Sequence, residues 1–159
     1  MTLEEVENTL PNGLHDAEVT GITINYEQRN LVLNIAVWVG DMGDTPEKRE
    51  AYKNGLIEIS GLLFLVMESP DPNYPLKTGS LKIDSCDLSK SFDRKLLDSL
   101  PTDAFFRSLW VSEWNAFIHI AATAAQIRWN DKAVVYRGPG EQGHPPQTLG
   151  SVRGHRSLA

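Results

Sequence analysis

Residues 14–39 read LHDAEVTGITINYEQRNLVLNIAVWV, and the alternation inside them sets the architecture. In the second part, Leu31, Leu33, Ile35, Val37 and Val39 form an unbroken odd-numbered apolar row, with Asn30 and Asn34 on the other face. That is the period-2 pattern of a half-buried strand. The first part alternates in two phases: Ala17 and Val19 share one parity, Ile22, Ile24 and Tyr26 the other. Gly21 stands at the switch, where a β-bulge returns both groups to one buried face. Between the rows, Glu27-Gln28-Arg29-Asn30 is a polar loop of hairpin length, with Asn30 suited to a positive φ. The stretch predicts a β-hairpin.

On the N-terminal side, Thr2 and Glu5 match a capping box and predict a short helix over Leu3 to Asn8, ended by Leu10-Pro11-Asn12-Gly13. On the other side, Gly40 to Asp44 is a loop. Thr45 to Asn54, with Pro46 at the first helical position, reads as a short solvated helix or charged loop. Gly55 opens a third strand carrying Ile57, Ile59, Leu63, Leu65 and Met67, bent at Gly61. From Leu62 onward both faces are apolar, which predicts a central, covered strand. Ser69 to Gly79 holds three prolines and is a loop. Leu81 and Ile83 start a strand ending near Leu88, and Phe92, Leu96, Leu97 and Leu100 give Ser91–Leu100 a helical apolar face. Phe105–Val111 fits a strand or the end of a helix. Phe117–Ala121 and Ala125–Trp129 fit strands, although the alanines between them also allow helix, and Ala133–Tyr136 fits a last short strand. From Gly138 the chain is rich in Gly, Pro and polar residues, too poor in apolar surface to offset the entropy of ordering, and is expected to be a disordered tail.

The expectation is therefore a mainly β fold with a minor α component: an antiparallel sandwich, sheet or partial barrel with one or two short helices. It comprises one domain over residues 1–137 and a tail over 138–159. With 159 residues, 41% hydrophobic and 23% charged, the chain can bury a core without staples. The net charge of −6 argues against a nucleic-acid binder and leaves room for a basic protein partner. A single cysteine, Cys86, precludes an intramolecular disulfide and a Cys-based zinc site, and no cofactor motif is present. The acidic N-terminus lacks the form of a signal peptide. The longest apolar run, Leu62 to Met67, is far below the ~20 residues of a membrane helix, so a cytoplasmic protein without membrane association is expected.

Chemistry-bearing residues are few. His15-Asp16 resembles the pair used by metal-dependent phosphohydrolases, a chemistry that needs further converging ligands. His119, in Phe117-Ile118-His119-Ile120-Ala121, could supply one if the fold brought it to His15. The plainer alternative is a turn whose Asp and His bond backbone amides, and a His119 satisfied by one hydrogen bond. Asp41-Met42-Gly43-Asp44 has oxygen ligands without the rest of an EF-hand pattern and reads as a polar turn. Of the aromatics, Trp114, flanked by Ser112-Glu113 and Asn115, is the one expected to be partly exposed at a binding surface, with Asp41 and Asp44 as the polar candidates.

Leu14-His15-Asp16-Ala17, Ile22 to Glu27 and Arg29 resemble a family of small, uncharacterised, mostly bacterial β-rich proteins. The resemblance extends through Gly40-Asp41, Tyr52, Gly61-Leu62 and Trp114 to Ile120, covering most of residues 14 to 130. It implies a common β-rich fold and no established activity, so no catalytic residue carries over. Some small acidic bacterial proteins of this kind are immunity proteins. The functional expectation is a non-catalytic binding protein, immunity-like by analogy. The alternatives are a metal-dependent hydrolase using His15, Asp16 and His119, and a structural subunit whose exposed strand edge pairs with a copy of itself.

Overall fold

The hairpin forms as its alternation requires. In the computed structural model, which describes residues 1–75, 79–88, 92–130 and 134–136, β1 (Ala17–Asn25) and β2 (Asn30–Trp38) pair antiparallel. Their register shifts between Val19 and Gly21, the bulge expected there. It places Ile22 and Ile24 opposite Leu33 and Leu31, on the same inward face as Ala17 and Val19. Tyr26 falls outside that face, 72% exposed in the turn. The positive φ belongs to Arg29 (+51°) and not to Asn30, which already starts β2. Arg29 is held there from both ends: its carbonyl accepts from Leu62 N (2.8 Å) and its Nε donates to Leu62 O (3.1 Å).

The other strands are β3 (Ala51–Ser60), β4 (Phe64–Met67), β5 (Leu81–Cys86), β6 (Phe105–Val111), β7 (Ala116–Ala122), β8 (Ala124–Trp129) and the two-residue β9 (Val135–Tyr136). Three short helices, α1 (Leu3–Glu7), α2 (Pro46–Arg49) and α3 (Arg94–Asp98), complete the described elements. The fold is mainly β. The strands follow the order β4-β7-β6-β5-β1-β2-β3-β8, every pair antiparallel, with β9 added beside β3.

The ends of this path are covalently joined. β3 continues through residues 61–63 into β4, and β7 through Thr123 into β8, while β3 pairs with β8 and β4 with β7. These two long segments therefore pair on both sides of a shared corner, and the sheet curls until its hydrogen-bond path returns to itself like a barrel. Gly61 makes the corner. Its φ is +61°, and a Cβ at this position would run into Thr123 Oγ1.

Inside the curl lie Leu31, Leu33, Ile57, Ile59, Ile83, Leu109, Ile118 and Ile120, each at most 2% exposed. Helix α1 closes one flank against β6 and β8, burying Leu3 and Val6 completely. The Thr2–Glu5 capping box forms, and the Met1 carbonyl accepts from Ala125 N (2.7 Å).

Three local expectations are corrected. The helix after Thr45 stops at Arg49, and β3 begins at Ala51, four residues before Gly55. The ladder to β2 wins there: Trp38 pairs with Tyr52, Val39 N donates to Ala51 O (2.8 Å), and Tyr52 is buried. β4 is not a central strand, because among the described residues only β7 pairs with it and Val66 and Met67 are exposed. Helix α3 is shorter than Ser91–Leu100 and buries none of its residues; Leu96 is exposed. Phe105–Val111 is a strand. The expected tail, 138–159, and residue 133 of the last expected strand lie outside the described residues. No helix among the described residues is long and apolar enough to cross a membrane.

Candidate functional site

The two histidines with described surroundings occupy different places in the sheet. His119 lies on β7 between β6, where it pairs with Ser108, and β4, where it pairs with Val66. Alternation sends Ile118 and Ile120 inward, so His119 faces outward with Phe117. It is nonetheless only 3% exposed, because aromatic rings cover it. Phe92 lies 4.6 Å from the imidazole between ring centroids, and Phe106 and Phe117 each lie 5.9 Å away. Phe64 stacks on Phe92 at 6.0 Å. Beneath this cover Ser108 Oγ is 2.8 Å from His119 Nδ1, and exposed Glu68 Oε1 reaches Nε2 from the rim at 3.2 Å. Glu68 Oε2 also accepts from Phe117 N (2.9 Å).

Hydroxyl, imidazole and carboxylate in series is the order of a nucleophile relay. Here the hydroxyl belongs to Ser108, which has no exposed surface, and both ring nitrogens are engaged. The buried Ser108–His119 pair is satisfied with the help of exposed Glu68, and Ser108 is closed to any acyl group.

His15 is 61% exposed at the start of β1. Its Nδ1 is 2.5 Å from Asp84 Oδ1 and its Nε2 3.5 Å from Asp16 Oδ2. Asp16 adopts φ +53°, tolerated by a short polar side chain, and its N–H also donates to Asp84 Oδ1 (3.3 Å). Asp84 arrives on β5, whose Ile83 pairs with Ala17. The Trp38 ring meets the imidazole edge-on at 6.2 Å.

His15, Asp16 and Asp84 thus come together, and His119 does not join them. Strands β5 and β6 stand between β1 and β7, three strand spacings or up to about 14 Å. The expected ligand set of His15, Asp16 and His119 is not assembled. Among the described residues no group of three or more His, Cys, Asp or Glu could hold a metal ion.

Asp41 caps its own turn, accepting from Gly43 N at Oδ1 (2.7 Å), and Asp44 N donates to Asp41 O (3.0 Å). Both aspartates are exposed. Trp114 sits in the β6–β7 turn, its N–H bonded to Val111 O (3.1 Å), and its half-buried ring packs against the core. The neighbouring Asn115, at φ +46°, donates to Asp71 Oδ2 (3.0 Å). With the Asn73 backbone amide, and less strongly with the Asn115 and Asn73 side chains, this holds the Asp71 carboxyl below its ordinary pKa. Burial raises the Cys86 thiol, although Arg107 nearby pulls the other way.

Sequence reasoning missed two features. Half-buried Arg107 and buried Glu7 form a bidentate pair (Nη2–Oε2 2.7 Å, Nε–Oε1 3.4 Å), and Arg107 Nε also donates to Ser85 Oγ (2.8 Å). Burial opposes the guanidinium charge, but Glu7, Glu4 and Asp87 outweigh it and raise the Arg107 pKa. Nothing in the local sequence announces a contact spanning 100 positions. The second feature is the free edge of β4. Glu68 N donates to Phe117 O (2.9 Å), so Val66/His119 and Phe64/Ala121 are the bonded pairs of this ladder. The N–H and C=O groups of Leu65 and Met67 then point away from β7, with no partner among the described residues. Val66 is 39% and Met67 43% exposed. No local signal announced it: Leu62–Met67 is an apolar run without Lys or Pro, the pattern of an enclosed strand.

The chain matches no protein-family model and no curated protein sequence. Among solved structures it is similar to an uncharacterized protein from Neisseria gonorrhoeae, with 14% identity and a TM-score of 0.34 over 72% of this chain and 91% of that one.

Proposed function

We propose that this protein is a non-catalytic binding protein that takes an extended polypeptide along β4. The observation carrying this reading is the open edge itself: backbone donors and acceptors at Leu65 and Met67 without partners among the described residues, beside exposed Val66 and Met67. The half-buried rings of Phe64, Phe92, Phe106 and Phe117 continue the apolar surface from that edge. Strand addition draws its affinity from main-chain hydrogen bonds and its selectivity from the side chains flanking them. The engagement of His15 by Asp84 and of His119 by Ser108 and Glu68 fits structural roles for both rings.

Site-specific photocrosslinking in the cells that make the protein tests this reading. A photoreactive residue at position 67 is expected to give a discrete polypeptide adduct, while the same probe at position 23, exposed on the polar face of β1, gives none. No adduct at 67, or identical adducts at both positions, would overturn it.

A further inference from the structure

The slot beside β4 has a definite length. β4 continues β3, and its free side continues the column occupied by β2, because β8 and β7 hold the other side. That column is filled as far as the hairpin turn, where Arg29 O accepts from Leu62 N (2.8 Å). A further strand can therefore pair only with residues 64–68, between the turn and the point where Ser69-Pro70 leaves the sheet.

We infer that a second copy of this chain fills the slot, its own β4 running antiparallel to the first about a two-fold axis at Val66. This rests on the reading of β4 as a binding edge and names the occupant. In an antiparallel pair, residues that exchange hydrogen bonds must both point their backbone groups across the gap. The groups free to do so are those of Leu65 and Met67, and the register that uses all of them sets Leu65 of each copy opposite Met67 of the other. Val66 then faces Val66 of the second copy, and Phe64 faces its Glu68. The open groups thus select a register symmetric about one residue, the condition for an isologous contact.

The charges agree with that register. Residues 61–67 carry none, so the edge offers nothing to select a charged peptide, and no like charges are set opposite each other. Glu68 of the second copy comes instead to the end of the slot where Arg29 is held at Leu62. The β-branched Val66 pair meets on the outward face, continuous with the phenylalanine cluster around His119. Because the paired stretch is short, the dimer is expected to dissociate on dilution.

The experiment uses the full chain with Cys86→Ser as background, folding being checked by circular dichroism. Sedimentation from about 1 µM to about 1 mM is expected to show a monomer–dimer equilibrium. Val66→Lys, which sets two ammonium groups against each other on the axis, is expected to raise the dimer Kd about tenfold or more. Register is read by mild oxidation: Val66→Cys links to itself, whereas Leu65→Cys and Met67→Cys link to each other when mixed and not when alone. A monomer throughout the range, or cross-links indifferent to position, would overturn the inference. A monomer that still yields a position-67 adduct with another polypeptide would overturn self-pairing alone. A monomer with no such adduct would overturn the binding edge as well.

Discussion

The wall built from β1, β2, β3 and β8 and the wall built from β4, β5, β6 and β7 share one curled sheet and use their outer faces differently. On the first, outward positions are mostly polar; Glu18 is buried and accepts from Ser80 Oγ (3.2 Å), while the exposed ones are locally settled. Thr20 and Thr23 are exposed, and Glu58 accepts from Gln126 Nε2 (2.8 Å) and Arg128 Nη2 (2.7 Å) on the strand beside it. On the second, the outward positions of β4, β6 and β7 carry an aromatic cluster that buries a serine and a histidine beneath it. The inner faces differ too. The first wall turns in mainly aliphatic side chains such as Leu33 and Ile57, with Trp129 packed against them, while the second carries Arg107 on the parity of Leu109 and Val111. A wall of alternating aliphatic and mostly exposed polar residues is stable in one register and needs few distant partners. A wall that buries polar groups on either face depends on particular distant partners.

The largest effect that tests this contrast is at Arg107. Arg107→Ala leaves Glu7 buried and unpaired and is expected to cost about 3–5 kcal/mol in urea unfolding, against about 1 kcal/mol for Ile57→Val on the opposite wall. Equal costs would erase the distinction between the inner faces.

The corner joining the walls comes next. Gly13 and Gly61 both have positive φ, but a Cβ on Gly13 meets nothing within 4 Å, whereas one on Gly61 meets Thr123. Gly13→Ala is expected to cost about 1 kcal/mol from backbone conformation alone. Gly61→Ala should cost at least about 2 kcal/mol, since Thr123 must also shift. Similar values for both would mean that the corner yields freely and that closure of the sheet does not hinge on it.

A smaller effect is expected at Ser108. Ser108→Ala removes the partner of His119 Nδ1 beneath the phenylalanines and should cost about 1–2 kcal/mol, with Thr23→Ala on the polar face near zero. A neutral Ser108→Ala would show that solvent reaches the imidazole and that the aromatic cover is loose.

The smallest effect depends on pH. Asp71, whose hydrogen bonds tie its loop to the β6–β7 turn, has a folded pKa below its ordinary 3.8. The contribution of a carboxylate depressed in the folded state is complete above the unfolded pKa and is lost as pH falls through the folded one. The Asn73 and Asn115 amide signals should therefore be constant above about pH 5 and titrate below 3.8, and Asp71→Asn should abolish that step. A midpoint above 3.8 would count against these bonds.

The contrast between the walls also explains what could be read in advance. The β1–β2 hairpin was legible down to its bulge, because strands separated by a four-residue turn pair locally and their hydrophobic parity determines the register. The shift of positive φ from Asn30 to Arg29 was not, since it depends on Leu62 from the distant corner. At the candidate sites, His15-Asp16 was recognised as a pair, but its third member, Asp84, is brought by pairing between β1 and β5 across some 70 residues of chain.

By itself, the sequence determined the element type of most of this chain and the inward face of its long strands, because alternation, glycine and proline act over a few residues. The tertiary structure alone decided the neighbours of each strand, the curling of the sheet at Gly61, the pairing of Glu7 with Arg107, and the exposure of β4. An apolar run such as Leu62–Met67 carries the same local pattern whether its strand is enclosed or at an edge. Only the path of β2, which stops at Arg29, leaves that edge open.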